Sequence, residues 1–124
     1  MKINESVENY LETILILSKK LPVVRSIDIA NELNFKKSSI SVAMKNLRLN
    51  GYIVVSDAGF ITLTPDGLEI AEKIYERHDL LSKWLIALGV DEQTATNDAC
   101  RMEHYMSAES FSAIKKFVLE QMNI

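Results

Sequence analysis

Cys100, Glu103 and His104 stand at i, i+3 and i+4, a spacing that sets three side chains on one face of one helix. A thiolate, a carboxylate and an imidazole together suit a divalent transition metal. Asn9 and Glu12, at i and i+3, share a face of the first helix, and His78 is the other histidine of the chain. Each has a plainer reading. A lone cysteine is most often a small buried apolar side chain, and a lone histidine most often a satisfied surface or core residue. Three ligands on one helix also need partners from elsewhere, so spacing alone leaves the metal reading open. Met102 and Met106 read as core.

A second group is defined by charge. Between Arg25 and Asn50, the bases Arg25, Lys36, Lys37, Lys45 and Arg48 oppose Asp28 and Glu32, a local charge of +3, within a chain whose net charge is −3. From Glu76 onward, five bases face eight acids. Local charge, more than the total, sets the field at a binding face. Ile40, Ala43, Met44 and Leu47 form an inward stripe, with Val42 grouped beside them. Lys36, Lys37, Ser38, Ser39, Ser41 and Lys45 then remain outside. Serines allow close approach and bond bases or phosphates. Lysines neutralise phosphates and make binding salt-dependent.

The elements that must position these residues follow from periodicity and punctuation. Val7, Tyr10, Leu11, Ile14, Leu15 and Leu17 predict a helix over about 6–19 capped by Ser6, which Leu21-Pro22 ends. A second helix spans about 26–33 with a cap at its start, and a third runs from about Lys37 or Ser38 to Asn50, stopped by Gly51. Tyr52–Ser56 and Phe60–Thr64 read as a hairpin around Asp57-Ala58-Gly59. Thr64 caps a long helix from Pro65 to about Leu88, which Gly89 ends. A helix from Asp91 or Thr94 through about Tyr105 and a last one over 108–122, capped by Ser107, complete the chain.

Two short helices, a tight turn between them and a two-stranded ribbon make a winged helix-turn-helix pattern. Its second helix enters the major groove, and its wing tip, with Gly59, meets neighbouring phosphates or the minor groove. Arg25 joins this candidate DNA-contacting set. The expected fold is mostly α: a winged-helix DNA-binding domain over 1–72, then a helical metal-binding and dimerisation domain over 73–124.

The chain has 124 residues, 48% hydrophobic and 25% charged, enough for a packed core. It has no apolar run long enough for a membrane helix, and acids precede its first apolar stretch, unlike a secretory leader. One cysteine forms no internal disulfide and suits a reducing cytoplasm. No nucleophile–base pair or phosphate-cradling glycine loop is visible, so no enzyme and no small-molecule substrate beyond a metal ion is expected.

Asp98-Ala99-Cys100-Arg101-Met102-Glu103-His104-Tyr105-Met106-Ser107 resembles the metal-binding helix of the diphtheria-toxin-repressor and manganese-transport-regulator family. So do Val7-Glu8-Asn9-Tyr10-Leu11-Glu12-Thr13-Ile14, Arg77-His78-Asp79-Leu80-Leu81 and Leu88-Gly89-Val90-Asp91. The resemblance covers about 6–117. It implies a metal site between the first helix, the long helix and the Glu-His helix, and a metal-loaded homodimer that binds double-stranded operators and represses metal-uptake genes. The family's larger members add an SH3-like domain. With 124 residues, the short architecture is expected here.

Carried over residue by residue, Glu103, His104 and His78 match both branches of the family, Cys100 the iron type and Glu12 the manganese type. Asn9 departs from both, which expect Asp or Met there. Ser82 and Thr96 fall where the iron type has ancillary ligands. The implied set is thus Asn9, Glu12, His78, Cys100, Glu103 and His104. The thiolate tilts the choice to Fe²⁺, with Mn²⁺ next and Zn²⁺ or Co²⁺ as in-vitro occupants. The alternative is a winged-helix regulator answering another signal, such as oxidation of Cys100. Trp84, Leu85, Leu88, Phe111, Ile114, Phe117 and Val118 exceed what the second half can readily bury alone. That excess also points to a homodimer, which would present two reading helices about one DNA turn apart, ~34 Å.

Overall fold

The computed structural model describes residues 4–122. The elements run α1 (Glu5–Lys20), α2 (Ser26–Leu33), α3 (Lys37–Leu49), β1 (Ile53–Val55), β2 (Ile61–Leu63), α4 (Pro65–Ala87), α5 (Glu92–Met102) and α6 (Ala108–Met122). They divide into two compact units, Met1–Lys73 and Ile74–Ile124, with α4 running across the division. The mostly helical fold with a two-stranded antiparallel sheet after a helix-turn-helix is the architecture anticipated from sequence.

In the first unit, α1 starts earlier than its apolar pattern implies. Asn4, not Ser6, is the cap: its Oδ1 accepts the Val7 N–H at 3.0 Å, which places Glu5 and Glu8 in the first turn. Asn caps as well as Ser, and acids favour a helix N-terminus. At α2 the cap position is Arg25, whose N–H donates to Asp28 Oδ2 at 2.8 Å. Asn34 ends α2 in the left-handed region (φ 56°), a conformation that Asn tolerates. This makes the tight turn into α3.

Ile40, Met44 and Leu47 of α3 pack on Leu11, Ile14, Ile29, Ile53, Ile61 and Ala71 in one core. Val42 does not join them; it is 62% exposed. Two residues from both Ile40 and Met44, it falls on the opposite side of a helix that turns 100° per residue.

The wing is shorter than its apolar runs. Ile53 pairs with Leu63, Val54 with Thr62 and Val55 with Ile61. The Phe60 N–H donates to Ser56 Oγ and the Gly59 N–H to the Ser56 carbonyl, closing the turn. The Ile61 N–H donates to the Val24 carbonyl at 2.7 Å, which ties β2 to the segment before α2. Thr64 caps α4 as expected, its Oγ1 accepting the Gly67 N–H. At Gly67 a side chain would collide with the Tyr52 carbonyl, so α4 lies as close under the wing as backbone permits.

In the second unit, Leu80, Leu81, Ala99, Phe111 and Val118 form the core, with Trp84, Met102, Met106 and Ile114 packed on it. Asp91 caps α5 and Ser107 caps α6. Helix α5 stops at Met102, short of Tyr105. Arg77, buried on α4, anchors the turn that follows. Its Nη1 donates to the carbonyls of Glu103 (3.0 Å) and Met106 (2.6 Å), and its guanidinium lies over the Phe111 ring at 5.2 Å. Both bonds fasten the turn between α5 and α6 to α4.

Replacing Arg77 strands two carbonyls and leaves a void beside Phe111. Arg77→Ala should lower unfolding free energy by about 3 kcal/mol, measured by chemical denaturation. A loss under ~0.5 kcal/mol, the range of an ordinary surface substitution, would show that this anchor does not hold the turn.

Candidate metal centre and DNA-reading face

Glu103 is 0% exposed, and its carboxylate lies between two imidazoles of its own unit. Oε2 is 2.9 Å from His78 Nδ1, reached from α4. Oε1 is 3.2 Å from His104 Nε2 but without hydrogen-bond alignment, so among the described residues this buried oxygen has no hydrogen bond. The His104 side chain is 1% exposed and that of His78 26%. An ionised carboxylate out of water must be compensated by cations or donors. Two imidazoles and an under-satisfied oxygen in one dry place make a nitrogen–oxygen donor set that a divalent ion would satisfy. The residues therefore fit the metal that the sequence suggested.

Glu103 caps α5 with helical dihedrals and His104 lies in the turn beyond it, so the three residues do not share one continuous helix. Cys100, one turn back on α5, is exposed. Asn9 and Glu12 belong to the first unit, on one turn of α1. Glu12 is buried, Asn9 is half-buried, and the Asn9 carbonyl accepts the Thr13 hydroxyl. Arg77, which the sequence shows only as the first residue of the Arg77-His78-Asp79 motif, supports this site through its backbone bonds. Nothing local marks it, because its partners are backbone carbonyls 26 and 29 residues away.

On the first unit, Lys36, Lys37, Ser38, Ser39, Ser41 and Lys45 are all exposed, at the start of α3 and along its outer side. Gly59, half-buried with φ +84°, forms the tip of the wing. Arg25 is exposed, its guanidinium over the Phe60 ring at 4.8 Å. Between Tyr52 and Thr64 the wing has no lysine or arginine. Arg25, stacked on it from the base of α2, supplies a cation that the ribbon lacks. The role of Phe60 in holding it was not evident from sequence, since the two are 35 positions apart.

Comparison with known proteins accounts for both units. Residues 2–59 match the family model described as "Iron dependent repressor, N-terminal DNA binding domain". Residues 64–120 match "Iron dependent repressor, metal binding and dimerisation domain". An uncharacterised HTH-type transcriptional regulator of Methanocaldococcus jannaschii is 35% identical over 117 residues, covering 93% of this chain and 94% of that protein. The HTH-type transcriptional regulator MntR of Lysinibacillus sphaericus is 34% identical over 113 residues, covering 91% of this chain and 81% of its own. Among solved structures, the manganese regulator SloR superposes with a TM-score of 0.79 at 24% identity, a likeness of fold. The alignment covers 95% of this chain and 54% of SloR, so the chain spans about half the length of that neighbour. A DNA-reading winged helix followed by a metal-binding and dimerisation unit, matched along nearly the whole length, places this chain in the iron-dependent repressor family of metal-dependent transcriptional regulators.

Proposed function

We propose that this chain is a regulator, not an enzyme, that represses metal-uptake genes from the cytoplasm when loaded with Fe²⁺ or Mn²⁺. The observation that carries this reading is the buried Glu103 carboxylate set between His78 and His104 in the unit matched to a metal-binding domain. His78, Glu103 and His104 form the core of the site. Glu12, Cys100 and, with less charge to offer, Asn9 complete it. Glu12 is a buried carboxylate and Cys100 an exposed thiol. Ligation by Cys100 would add a soft donor and favour Fe²⁺ over Mn²⁺.

Ligands drawn from α1 as well as from the second unit would favour one arrangement of the DNA-binding unit over others. Such a bias is linkage: a coupling of ~1–3 kcal/mol gives a ~5–150-fold gain in operator affinity. Imidazoles and thiols ligate in their deprotonated forms, so loading releases protons and weakens in acid. A second copy is the expected partner of the second unit. Leu88 and Phe117, part of the apolar excess read from sequence, remain 65% and 56% exposed, while Phe111 and Val118 are buried.

The DNA face can be tested through salt. Lys37→Ala or Lys45→Ala should weaken binding to all sequences and lower the salt slope by about one unit per lost phosphate contact. Unchanged binding by both variants across a salt series would show the face to be misassigned.

The metal site can be tested at two residues. His104→Ala should lose metal-dependent DNA binding while its circular dichroism stays native. A variant that still responds to metal like the parent would place the regulatory site elsewhere. Cys100→Glu exchanges a soft ligand for a hard one and should shift preference toward Mn²⁺ in anaerobic titrations comparing Fe²⁺, Mn²⁺ and Zn²⁺. Identical metal preference in parent and variant would remove Cys100 from the ligand set. Loss of DNA binding on thiol oxidation, with no dependence on metal under reducing conditions, would instead favour a redox regulator.

A further inference from the structure

The outward side of α3 holds one residue that does not fit a surface of phosphate contacts. Val42 is 62% exposed, and its exposed neighbours along the helix are Ser38 and Ser39 before it, Ser41 beside it and Lys45 after it. Single exposed apolar residues are common and need no explanation by themselves. This one lies in the first half of the helix whose N-terminal residues meet base edges when a helix-turn-helix protein docks. It stands at i+4 from Ser38 and i−3 from Lys45, in the middle of the same stripe. Leu49, also exposed, sits on the last turn, away from that end.

We propose that Val42 is a specificity-determining residue that reads the methyl group of a thymine. This rests on the DNA-reading role assigned above to α3. In the major groove the base edges are read mainly through hydrogen-bond donors and acceptors, and the thymine 5-methyl group is the one apolar substituent among them. An isopropyl group pressed against a donor or acceptor strips it of water and returns no hydrogen bond, which is unfavourable. Against a methyl group it loses nothing and buries apolar surface. The preference therefore has two parts, attraction to thymine and penalty at the other bases, and specificity is the difference between them. Valine suits the task because its branched side chain holds essentially one χ1 rotamer in a helix. Little side-chain freedom is lost on contact. The flanking serines are small enough to let the backbone, and hence Val42, approach the groove floor, and the lysines fix the register on the phosphates.

The test uses the full chain loaded with Mn²⁺ to select duplexes from a random-sequence pool. Each thymine of a selected duplex is then replaced, one at a time, by deoxyuridine, which removes only the methyl group. The parent should bind about fourfold more weakly when one particular thymine per half-site is so replaced, the worth of one buried methyl group at ~0.8 kcal/mol. Val42→Ala is at an exposed helical position where alanine raises helix propensity, so it should fold. It should bind the thymine and uracil duplexes alike, with unchanged affinity for non-specific DNA. Equal binding by the parent to every uracil duplex would overturn the proposal. So would a Val42→Ala variant that keeps the full methyl preference, since another residue then reads it. A metal-loaded parent that binds no duplex at all overturns the DNA-reading assignment, and this inference with it.

Discussion

The second unit is organised around a carboxylate that has been taken out of water. Glu103 is fully buried, and an ionised carboxylate in that position is tolerable only with cationic or donor groups at hand. His78 and His104 meet its two oxygens from different elements, and Arg77 grips its backbone. The same guanidinium also binds the Met106 carbonyl, and His104 lies in the turn between Glu103 and Met106, its Nε2 3.2 Å from Oε1. The arrangement costs stability when considered as packing alone. Apolar residues of similar volume would be expected to do as well or better. Under the proposed function the same arrangement would pre-organise ligands, with the orientation of each ring fixed before an ion arrives.

The first unit solves a different problem, how to hold a reading helix and a ribbon rigidly on a small core. Three inward residues of α3, Ile40, Met44 and Leu47, pack into the core, and the residues of its outward side are exposed. The wing is a short ribbon of three-residue strands, which would be marginal alone. It is held by the Ile61–Val24 backbone bond, by Arg25 on Phe60 and by the close approach of α4 at Gly67. Basic charge at the ribbon comes from outside it, which leaves the ribbon sequence free for packing.

Much of this was legible in the sequence because the decisive signals are local. The inward stripe of α3, the stop at Gly51, the caps at Thr64 and Ser107 and the Glu103-His104 pair all lie within a few residues of the structure they specify. What the sequence concealed is of two kinds. Long-range pairs such as Arg77 with the Glu103 and Met106 carbonyls, or Arg25 with Phe60, leave no periodic trace. Residues whose chemistry contradicts their geometry mislead in the other direction. Val42 is apolar, a type that belongs with the core, although its angular position is outward. Cys100, Glu103 and His104 have helical spacing, yet the helix ends at Met102, between them.

The central claim is that Glu103 is the pivot of a metal site and not merely a buried structural acid. Thermal unfolding at increasing Mn²⁺ or Fe²⁺, under anaerobic conditions, tests it most directly, because an ion bound only by the folded state raises stability with concentration. Glu103→Gln keeps the shape and removes the charge. The melting temperature of the parent should climb steadily with metal, while that of Glu103→Gln stays flat from a metal-free value close to the parent's. A Glu103→Gln variant whose melting temperature rises with metal as steeply as the parent's would contradict the account.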